Sequence, residues 1–562
     1  MKSDHRLPVV IDLVLLSVLF WVAHYWFSRH FGLYEDDITI IPGAFKMSFG
    51  ELMRFVYSYI TQFQGQGRPL HHSFIYLFSW VGWRIAGLWG PFLIGYLITS
   101  INIGLFYWLL RRVTNRPFAL IGGLAYLLFS ADTTQAFLTL SLGLQPSITL
   151  ILLSFHGYLS NRRLLAYILA FISPFYYETP FLVFLAAPLL KKGWNRSLLK
   201  EFLFHGLILA VMLGSVFFLR LRMGEGRVEG LTLHQMLSTS VRQMILGPLT
   251  ALRTYLSRPL RPVLVINLQI AIAMGLSAIA IAWILWRAEP IIPFRLRELW
   301  EGLKPRRILP LPDEVRMLGR LVVAGLVMLV MAYPLTFTID ATSTGGRNTR
   351  VHAAAVMGAA LLIACAGMFL LMLLKAWGRR HVGTVALAVF FALLVGFGFV
   401  LQNDYVNAWQ YQKQFWTELI PLIPDAGENT VVFIQPDGLR DVYQIQANTW
   451  NLPRILNQIY AFPDSMTNVP YVVRLAPDWE KYILSEDGKF QINILSTVAP
   501  GDYFGEVDSR QVIFIETASG HLVRHTGVLT INGREYPLKS PSAPVLPSLP
   551  HDILYDLLIA SN

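Results

Sequence analysis

Long apolar runs alternate with short polar segments across residues 7–402. Each run has about 15 to 25 residues, the length with which an α-helix crosses a hydrocarbon core of ~30 Å. A transmembrane β-barrel would show short segments in which apolar and polar residues alternate. The pattern therefore predicts a polytopic α-helical membrane protein with about eleven transmembrane helices. They are predicted at 7–28, 89–111, 117–131, 145–160, 163–176, 179–190, 199–221, 263–286, 319–339, 351–374 and 382–402.

Two polar stretches between these spans have apolar residues at helical spacing. Residues 43–65 lie in the first outer loop, 29–88, and a second stretch covers part of 231–259. Amphipathic helices of this kind lie in the plane of the membrane surface. We expect both stretches to form interfacial helices that line a lipid groove or pack on the spans.

The pattern changes after residue 402, where short β-type runs are separated by Pro, Asn, Asp and Gly. Residues 527–538 predict a hairpin around Asn532-Gly533, a dipeptide that tolerates the positive φ angles of a type I′ turn. About 160 residues are enough for one small domain. The chain is thus predicted to have a transmembrane domain at 1–402 and a soluble α/β domain at 403–562. Strands are predicted at 430–436, 471–476, 490–496 and 511–517.

The basic residues set the orientation of the chain. The sequence is 54% hydrophobic and 14% charged, with a mean hydropathy of +0.49 and a net charge of +11. Many Lys and Arg lie in every second loop between spans, which is the positive-inside pattern and not a nucleic-acid footprint. The loop at 222–262 runs against this rule. We expect an inner-membrane protein with a cytoplasmic N-terminus, an extracytoplasmic C-terminal domain and no nucleic-acid partner.

Residues with acid–base or anion-binding chemistry gather on the predicted outer side. The first outer loop contains three consecutive carboxylates, Glu35, Asp36 and Asp37, whose mutual repulsion is costly at a membrane edge. A carboxylate can act as a general base, and guanidinium groups bind phosphate. Acidic residues contribute little to the positive-inside rule, so the rule itself does not place them there. The other candidates on this side are Arg68, Asp132, Glu178, Arg347, Arg350 and His352.

Several of the acids also have a structural interpretation. Asp is a good helix cap, so Asp36, Asp37 and Asp132 are each compatible with a capping role. Glu35 is compatible with a position facing water, because three adjacent acids do not all point into one pocket. Glu178 lies between two apolar spans, where burial is expensive without a partner. We expect Glu178 to line the site.

The basic candidates differ in strength. Arg68 precedes a proline and should be extended, and it is compatible with phosphate binding or with contact to lipid headgroups. Arg347 and Arg350 occupy a short outer loop against the charge rule, beside a helix N-terminus that favours anions. His352 is a weaker candidate, because a lone His at a helix start commonly hydrogen-bonds to its surroundings.

Cofactor signals are weak in this chain. There is no phosphate-binding glycine-rich loop, and the H-x-x-x-H pattern at His521 and His525 lies in the strand-rich tail. Cys365 is the single cysteine, so the chain forms no internal disulfide. We expect no metal and no other cofactor, although the His71-His72 pair and the acids leave a divalent ion open.

The outer-face motif resembles that of the GT-C superfamily of integral-membrane glycosyltransferases. These include protein O-mannosyltransferases, lipid A aminoarabinose transferases and the O-antigen glucosyl transferase II type. The chain has an acidic motif, Tyr34-Glu35-Asp36-Asp37, after its first span, and Gly67-Arg68-Pro69-Leu70 is similar to the last of these families. The resemblance covers about 7–402, with its motifs at 34–72. It implies a polyprenyl-phosphate sugar donor, a first-loop carboxylate as base, and basic residues of later loops at the lipid phosphate.

The expected reaction transfers a sugar to an acceptor hydroxyl at the outer face, with inversion. Asp36 would be the base and Asp37 and Glu178 would position hydroxyls, although three acids where the family has two leave the register open. The acceptor is a glycan, a glycolipid or a protein, and the chain also contacts membrane lipids. The alternatives are a transporter or flippase of a lipid-linked sugar and an O-antigen ligase or polymerase. Against the transporter, we find neither an internal repeat nor charges in the middle of spans.

Overall fold

A computed structural model of the chain divides it into two compact units. The first contains residues 1–29 and 49–403, and the second contains His30–Ser48 together with 404–562. The longer segment of the second unit starts at residue 404, and its shorter segment is part of the first loop. The residues described are 6–62, 67–191, 196–222, 232–288, 313–435, 441–442, 445–446, 452–475, 489–491 and 506–560.

The described part of the first unit contains helices joined by turns and loops, and no strand. Its helices are α1 (Arg6–His24), α3 (Phe49–Thr61), α4 (Pro69–Ala86), α5 (Trp89–Val113), α6 (Arg116–Leu127), α7 (Leu138–Ser141), α8 (Gln145–Leu159), α9 (Arg163–Ile172), α10 (Arg196–Arg222), α11 (Leu233–Ser257), α12 (Arg261–Leu264), α13 (Leu268–Arg287), α14 (Asp313–Val330) and α15 (Val356–Ala376). Two longer 3-10 helices, Phe181–Leu190 and Arg347–Ala355, also belong to it. Helix α16 (Arg380–Leu419) starts in this unit and ends in the second, which also contains helix α2 (Asp36–Lys46).

Each predicted transmembrane span coincides with a helix of the structure, which confirms the polytopic helical fold. Seven of the described helical segments are long and apolar enough to cross a membrane, by length and composition. The spans predicted at 163–176 and 179–190 correspond to shorter apolar helices, Arg163–Phe175 and Phe181–Leu190. The count of about eleven therefore stays a prediction. The seven segments are Leu7–His30, Trp89–Val113, Leu138–Leu159, Arg196–Arg222, Leu268–Arg287, Arg347–Ala376 and Arg380–Leu422.

The stretch at 43–65 with apolar residues at helical spacing contains parts of two helices in the structure. The structure has α2, which ends at Lys46, and α3, which starts at Phe49. The break follows from the backbone of Met47, which is extended (φ −64°, ψ 139°) and ends α2. Along α3, Leu52 is fully buried whereas Tyr57 is exposed, as expected for an amphipathic helix at a surface.

Small residues let helices of the first unit approach closely. α14 packs on α15, and α15 packs on α6. At the first of these contacts a Cβ on Gly358 would lie 2.3 Å from the backbone nitrogen of Leu329. Only a residue without a side chain fits there, the usual condition for close helix packing in membranes.

The second unit contains a small α/β domain built on a four-stranded sheet. The strand order is β4-β1-β7-β8, in which β4, β1 and β7 are parallel and β8 is antiparallel to β7. Helix α17 (Leu452–Ile459) packs on β4 and also contacts α18 (Ile553–Leu558). The described strands are β1 (Val431–Ile434), β2 (Asp441–Val442), β3 (Ile445–Gln446), β4 (Tyr471–Arg474), β5 (Phe490–Gln491), β6 (Glu506–Val507), β7 (Val512–Ala518), β8 (His521–His525), β9 (Val528–Ile531) and β10 (Arg534–Pro537).

The strand predictions for this domain agree with the structure where its residues are described. Strands β1, β4 and β7 lie at the predicted positions, and β5 starts at the predicted Phe490, while residues 492–496 lie outside the described part. The predicted hairpin is formed by β9 and β10. Asn532 and Gly533 at its turn have φ angles of 51° and 78°, as a type I′ turn requires.

Candidate functional site

The three consecutive acids lie at the start of α2, in the second unit. Asp36 and Asp37 form the first turn of this helix, and Glu35 precedes it with a φ of 47°, which is unusual for a residue other than glycine. All three are buried, with exposures of 5% for Glu35, 7% for Asp36 and 0% for Asp37. The alternative that Glu35 faces water is therefore wrong. Carboxylates at the N-terminal turn are stabilised by the helix dipole, which offsets part of their burial.

Tyr34 fixes the approach of the chain to these acids. Its hydroxyl donates to the carbonyl oxygen of Tyr405 (2.9 Å) and accepts the backbone N–H of Gly32 (3.0 Å). Burial raises the pKa of Tyr34, the Gly32 hydrogen bond lowers it, and the neighbouring Asp37 carboxylate raises it further. The backbone N–H of Asp37 donates to the Tyr34 carbonyl (3.0 Å), so the motif closes a turn directly before the helix.

Asp132 lies in the first unit, in the loop between α6 and α7. Its Oδ1 accepts the backbone N–H of Thr134 (2.9 Å) and the Thr134 hydroxyl (2.6 Å). The next helix begins only at Leu138, so Asp132 caps a local turn and is not the helix N-cap. Burial raises the pKa of the Asp132 carboxyl to about 6, against the opposing effect of the two Thr134 hydrogen bonds. Burial therefore makes this carboxyl easier to protonate than an ordinary aspartate.

The loop of Asp132 contacts the segment that contains Arg347 and Arg350. Thr349 lies between these arginines, and its hydroxyl accepts the backbone N–H of Thr133 (3.0 Å) and lies 2.9 Å from the Thr133 hydroxyl. Both threonines are fully buried. The arginines lie in the first turns of a continuous helical segment that runs from Arg347 to Ala376. The loop of Asp132 therefore contacts the N-terminal end of the helical segment Arg347–Ala376.

Arg350 and His352 have different surroundings within this segment. The Nε of Arg350 is buried and has no hydrogen-bond partner among the residues that the structure describes. The Nδ1 of His352 accepts the Tyr333 hydroxyl (2.8 Å), and its Nε2 donates to the carbonyl oxygen of Ser343 (2.9 Å). Both ring nitrogens of His352 are therefore used inside the protein, which matches the structural interpretation of this residue.

Arg68 and Glu178 form an ion pair in the first unit. The Nε of Arg68 donates to Glu178 Oε2 (2.7 Å), and a guanidinium NH₂ of Arg68 donates to Oε1. The guanidinium also lies 4.0 Å from the ring centroid of Tyr177. Glu178 is thus half-buried and paired with an arginine, as its position between two apolar spans requires.

A second arginine, Arg220, completes this cluster. Its NH₂ donates to the carbonyl oxygen of Pro174 (2.8 Å) and lies 3.4 Å from Glu178 Oε2. Arg220 was not among the site residues predicted from the sequence. Its signal was available, because this arginine ends a membrane-spanning helix on the predicted outer side, against the positive-inside rule.

The structure groups the candidates into three sets. Glu35, Asp36 and Asp37 belong to the second unit, and all the other candidates belong to the first. Within the first unit, one set is the Arg68–Glu178–Arg220 cluster, and the other is the Asp132 loop with the Arg347 segment. No group of three or more His, Cys, Asp or Glu that suits a metal ion occurs in the described parts of the chain.

Comparison with known proteins gives two structural matches. No family model matches the chain, and no curated protein sequence matches it. The crystal structure of ArnT from Cupriavidus metallidurans in the apo state is 15% identical over 92% of this chain and 94% of its own, with a TM-score of 0.35. The same protein bound to undecaprenyl phosphate is 13% identical over 77% of this chain and 83% of its own, with a TM-score of 0.34.

Proposed function

We propose that this protein is a membrane glycosyltransferase that moves a sugar from a polyprenyl-phosphate donor to an acceptor hydroxyl at the outer face of the inner membrane. The observation that supports this most directly is the placement of Asp36 and Asp37 in the first turn of α2, a short helix that is not among the membrane-spanning segments. Burying adjacent carboxylates is costly, and a chain retains such a feature where a base is needed.

Asp36 is the better candidate for the base. Asp37 is completely buried, whereas Asp36 retains a small exposure through which an acceptor can approach. Asp36 removes the proton of the acceptor hydroxyl, and the resulting oxygen attacks the anomeric carbon. The bond from that carbon to the phosphate oxygen breaks, and the lipid phosphate leaves with the electron pair. In-line attack inverts the configuration at the anomeric carbon.

Arg347 and Arg350 are the residues that we assign to the departing lipid phosphate. They lie at a helix N-terminus, which adds a partial positive charge, and guanidinium groups match phosphate oxygens well. Arg68 is less suited to this role, because its guanidinium group donates to the Glu178 carboxylate and lies over the ring of Tyr177. We assign the Arg68–Glu178 pair to shaping the wall of the donor site.

The transporter alternative deserves a specific comparison, because one charged residue inside a span was missed. Asp12 lies in α1 and is fully buried. Arg116 donates to both of its carboxylate oxygens (2.9 and 2.8 Å), and the Tyr107 hydroxyl donates to Oδ2 (2.5 Å). Asp12 lies near the start of the span predicted at 7–28 and not in its middle, and three hydrogen bonds hold its carboxylate inside the protein. This arrangement does not favour a transport pathway.

The decisive experiment measures release of lipid phosphate from radiolabelled polyprenyl-phosphate hexoses and pentoses by the purified protein. Asp36→Asn keeps the shape of the side chain and removes the proton acceptor. We expect it to lower kcat by about 10²- to 10⁴-fold with donor KM nearly unchanged. Asp37→Asn is the matched control, because one of two adjacent acids is the base. Normal turnover in Asp36→Asn with loss in Asp37→Asn would shift the assignment by one residue. Normal turnover in the triple variant Glu35→Gln, Asp36→Asn, Asp37→Asn would refute the proposal.

A further inference from the structure

The helix with the acids belongs structurally to the C-terminal domain. Residues 30–48 form one compact unit with residues 404–562, although more than 350 residues separate the two segments in sequence. Within this unit α2 packs against α17 and α18. The position of Asp36 and Asp37 in the second unit is therefore set by residues near the end of the chain.

The segment before α2 is held by the end of α16. The Tyr34 hydroxyl donates to the Tyr405 carbonyl, and the side-chain amide of Gln412 donates to the carbonyl oxygen of Leu33 (3.2 Å). A Cβ on Gly32 would lie 1.8 Å from the ring of Trp409, so the backbone passes directly against this indole. The N-terminal approach to the acids is thus fixed by three contacts with one helix.

One face of α2 is buried. Ile38, Ile41 and Ala44 are completely buried, and Phe45 is nearly so. The facing helices supply their own apolar side chains, since α17 and α18 each bury leucines or isoleucines along one side. Packing of this kind holds the helix against its neighbours, and contacts at its two ends add to this.

The C-terminal end of α2 has a charged contact with the residue that precedes α18. The ammonium group of Lys46 forms an ion pair with Asp552 Oδ2. The same aspartate caps α18 through its Oδ1, which accepts the backbone N–H of Ile553 (2.6 Å), and its own N–H donates to the carbonyl oxygen of Ile459 at the end of α17 (2.8 Å). Asp552 therefore connects all three helices.

We propose that Lys46 and Asp552 are positioning residues for the carboxylates of α2, so that the C-terminal domain is part of the catalytic apparatus. This inference rests on the proposed function for its kinetic consequence. The pair touches neither the acids nor the reacting atoms in this assignment. The ion pair holds the C-terminal end of α2. The proposed base, Asp36, lies at the N-terminal end of the same helix, ten residues and nearly three turns away.

The test separates the ion pair that Asp552 forms with Lys46 from its role as the N-cap of α18. Asp552→Asn removes the charge and keeps the capping oxygen, because Asn caps a helix about as well as Asp. Lys46→Gln removes the partner, and Lys46→Arg keeps the charge. The side chains of Lys46 and Asp552 are 37% and 16% exposed, and pairs of this kind contribute modestly. We expect kcat to fall about two- to fivefold in Asp552→Asn and Lys46→Gln, with donor KM unchanged.

Three comparisons make the test specific. The double variant should be no slower than either single variant, because both remove the same interaction. Lys46→Arg should keep full turnover. Lys489→Gln, which removes an exposed ion pair with Glu506 elsewhere in the same domain, should leave kcat unchanged. Hydrogen–deuterium exchange of residues 36–46 should be faster in Asp552→Asn and Lys46→Gln than in the wild-type protein or Lys489→Gln.

The exchange measurement distinguishes this inference from the proposed function. If the wild-type protein turns over no lipid-linked donor, the proposed function fails, while faster exchange in α2 would still support the role of the pair. Unchanged exchange overturns the inference whatever happens to kcat. Faster exchange with unchanged kcat in an active protein also overturns it, because the pair would then stabilise the helix without positioning the base.

Discussion

The Arg68–Glu178 pair permits the sharpest structural test in the first unit. The perturbation is a double-mutant cycle of Arg68→Gln, Glu178→Gln and the double variant. Arg68 is 6% exposed, and two hydrogen bonds join its guanidinium to the carboxylate. Removing one partner of a largely buried pair takes from the other charge its main opposite charge, at a cost of about 3–5 kcal/mol.

The two single variants should differ because of Arg220. In Arg68→Gln the carboxylate keeps Arg220 at 3.4 Å, so we expect a loss near the lower limit, about 3 kcal/mol. In Glu178→Gln two guanidinium groups lose their common anion, so we expect a loss near the upper limit, about 5 kcal/mol. The double variant should be clearly less destabilised than the sum of the two, since it removes one buried charge of each sign.

The assay is the midpoint of thermal unfolding in detergent, followed together with donor KM. Arg242→Gln is the matched control, because Arg242 donates to Asp340 at 2.7 Å with the two side chains 63% and 40% exposed. An exposed pair contributes about 0–1 kcal/mol, so this variant should unfold close to the wild-type midpoint. Unchanged midpoints in both single variants would refute the reasoning. A raised donor KM in Arg68→Gln with an unchanged unfolding midpoint would indicate that Arg68 binds the phosphate of the donor.

Two further outcomes are expected. Ionised Asp132 is disfavoured in the folded protein, where its pKa is about 6 instead of 3.8, so stability falls as pH rises through this range and Asp132→Asn removes the penalty. Its unfolding midpoint should exceed that of the wild-type protein at pH 8, and the two should converge near pH 4; a constant difference across this range would contradict the burial argument. For the orientation, a reporter fused after residue 562 should be active only outside the cytoplasm, and one inserted at 289–316 only inside. The reverse pattern would place the acids on the cytoplasmic side.

Membrane helices are the part of this fold that the sequence predicts best, for a local reason. A run of apolar residues has to be buried in lipid or protein wherever it lies, and its backbone has to bond to itself. Such a segment is a helix whatever it packs against. The hairpin at Asn532-Gly533 was predictable for the same reason, because the turn depends on two adjacent residues.

The pairings at the candidate site could not be predicted, because they are non-local. Arg68 and Glu178 are 110 residues apart, and nothing in the local sequence of either specifies the other. The break between α2 and α3 after Lys46 could not be predicted from the hydrophobic periodicity either. Phe45 and Phe49 keep a helical spacing across Met47 and Ser48, so the periodicity continues although the backbone does not.

The ion pair between Arg68 and Glu178 also bears on how a lipid phosphate would be held. The Arg68 cluster has two guanidinium groups and one carboxylate, so one of its two positive charges is neutralised, whereas a helix N-terminus adds about half a unit of positive charge from its free N–H groups. Arg347 and Arg350 lie at such a terminus, and the contact between Thr133 and Thr349 ties it to the loop of Asp132. Because Asp132 is more readily protonated than an ordinary aspartate, it opposes a bound anion less than a fully ionised neighbour would. Charge therefore favours this terminus over the Arg68 cluster for the phosphate of the proposed donor.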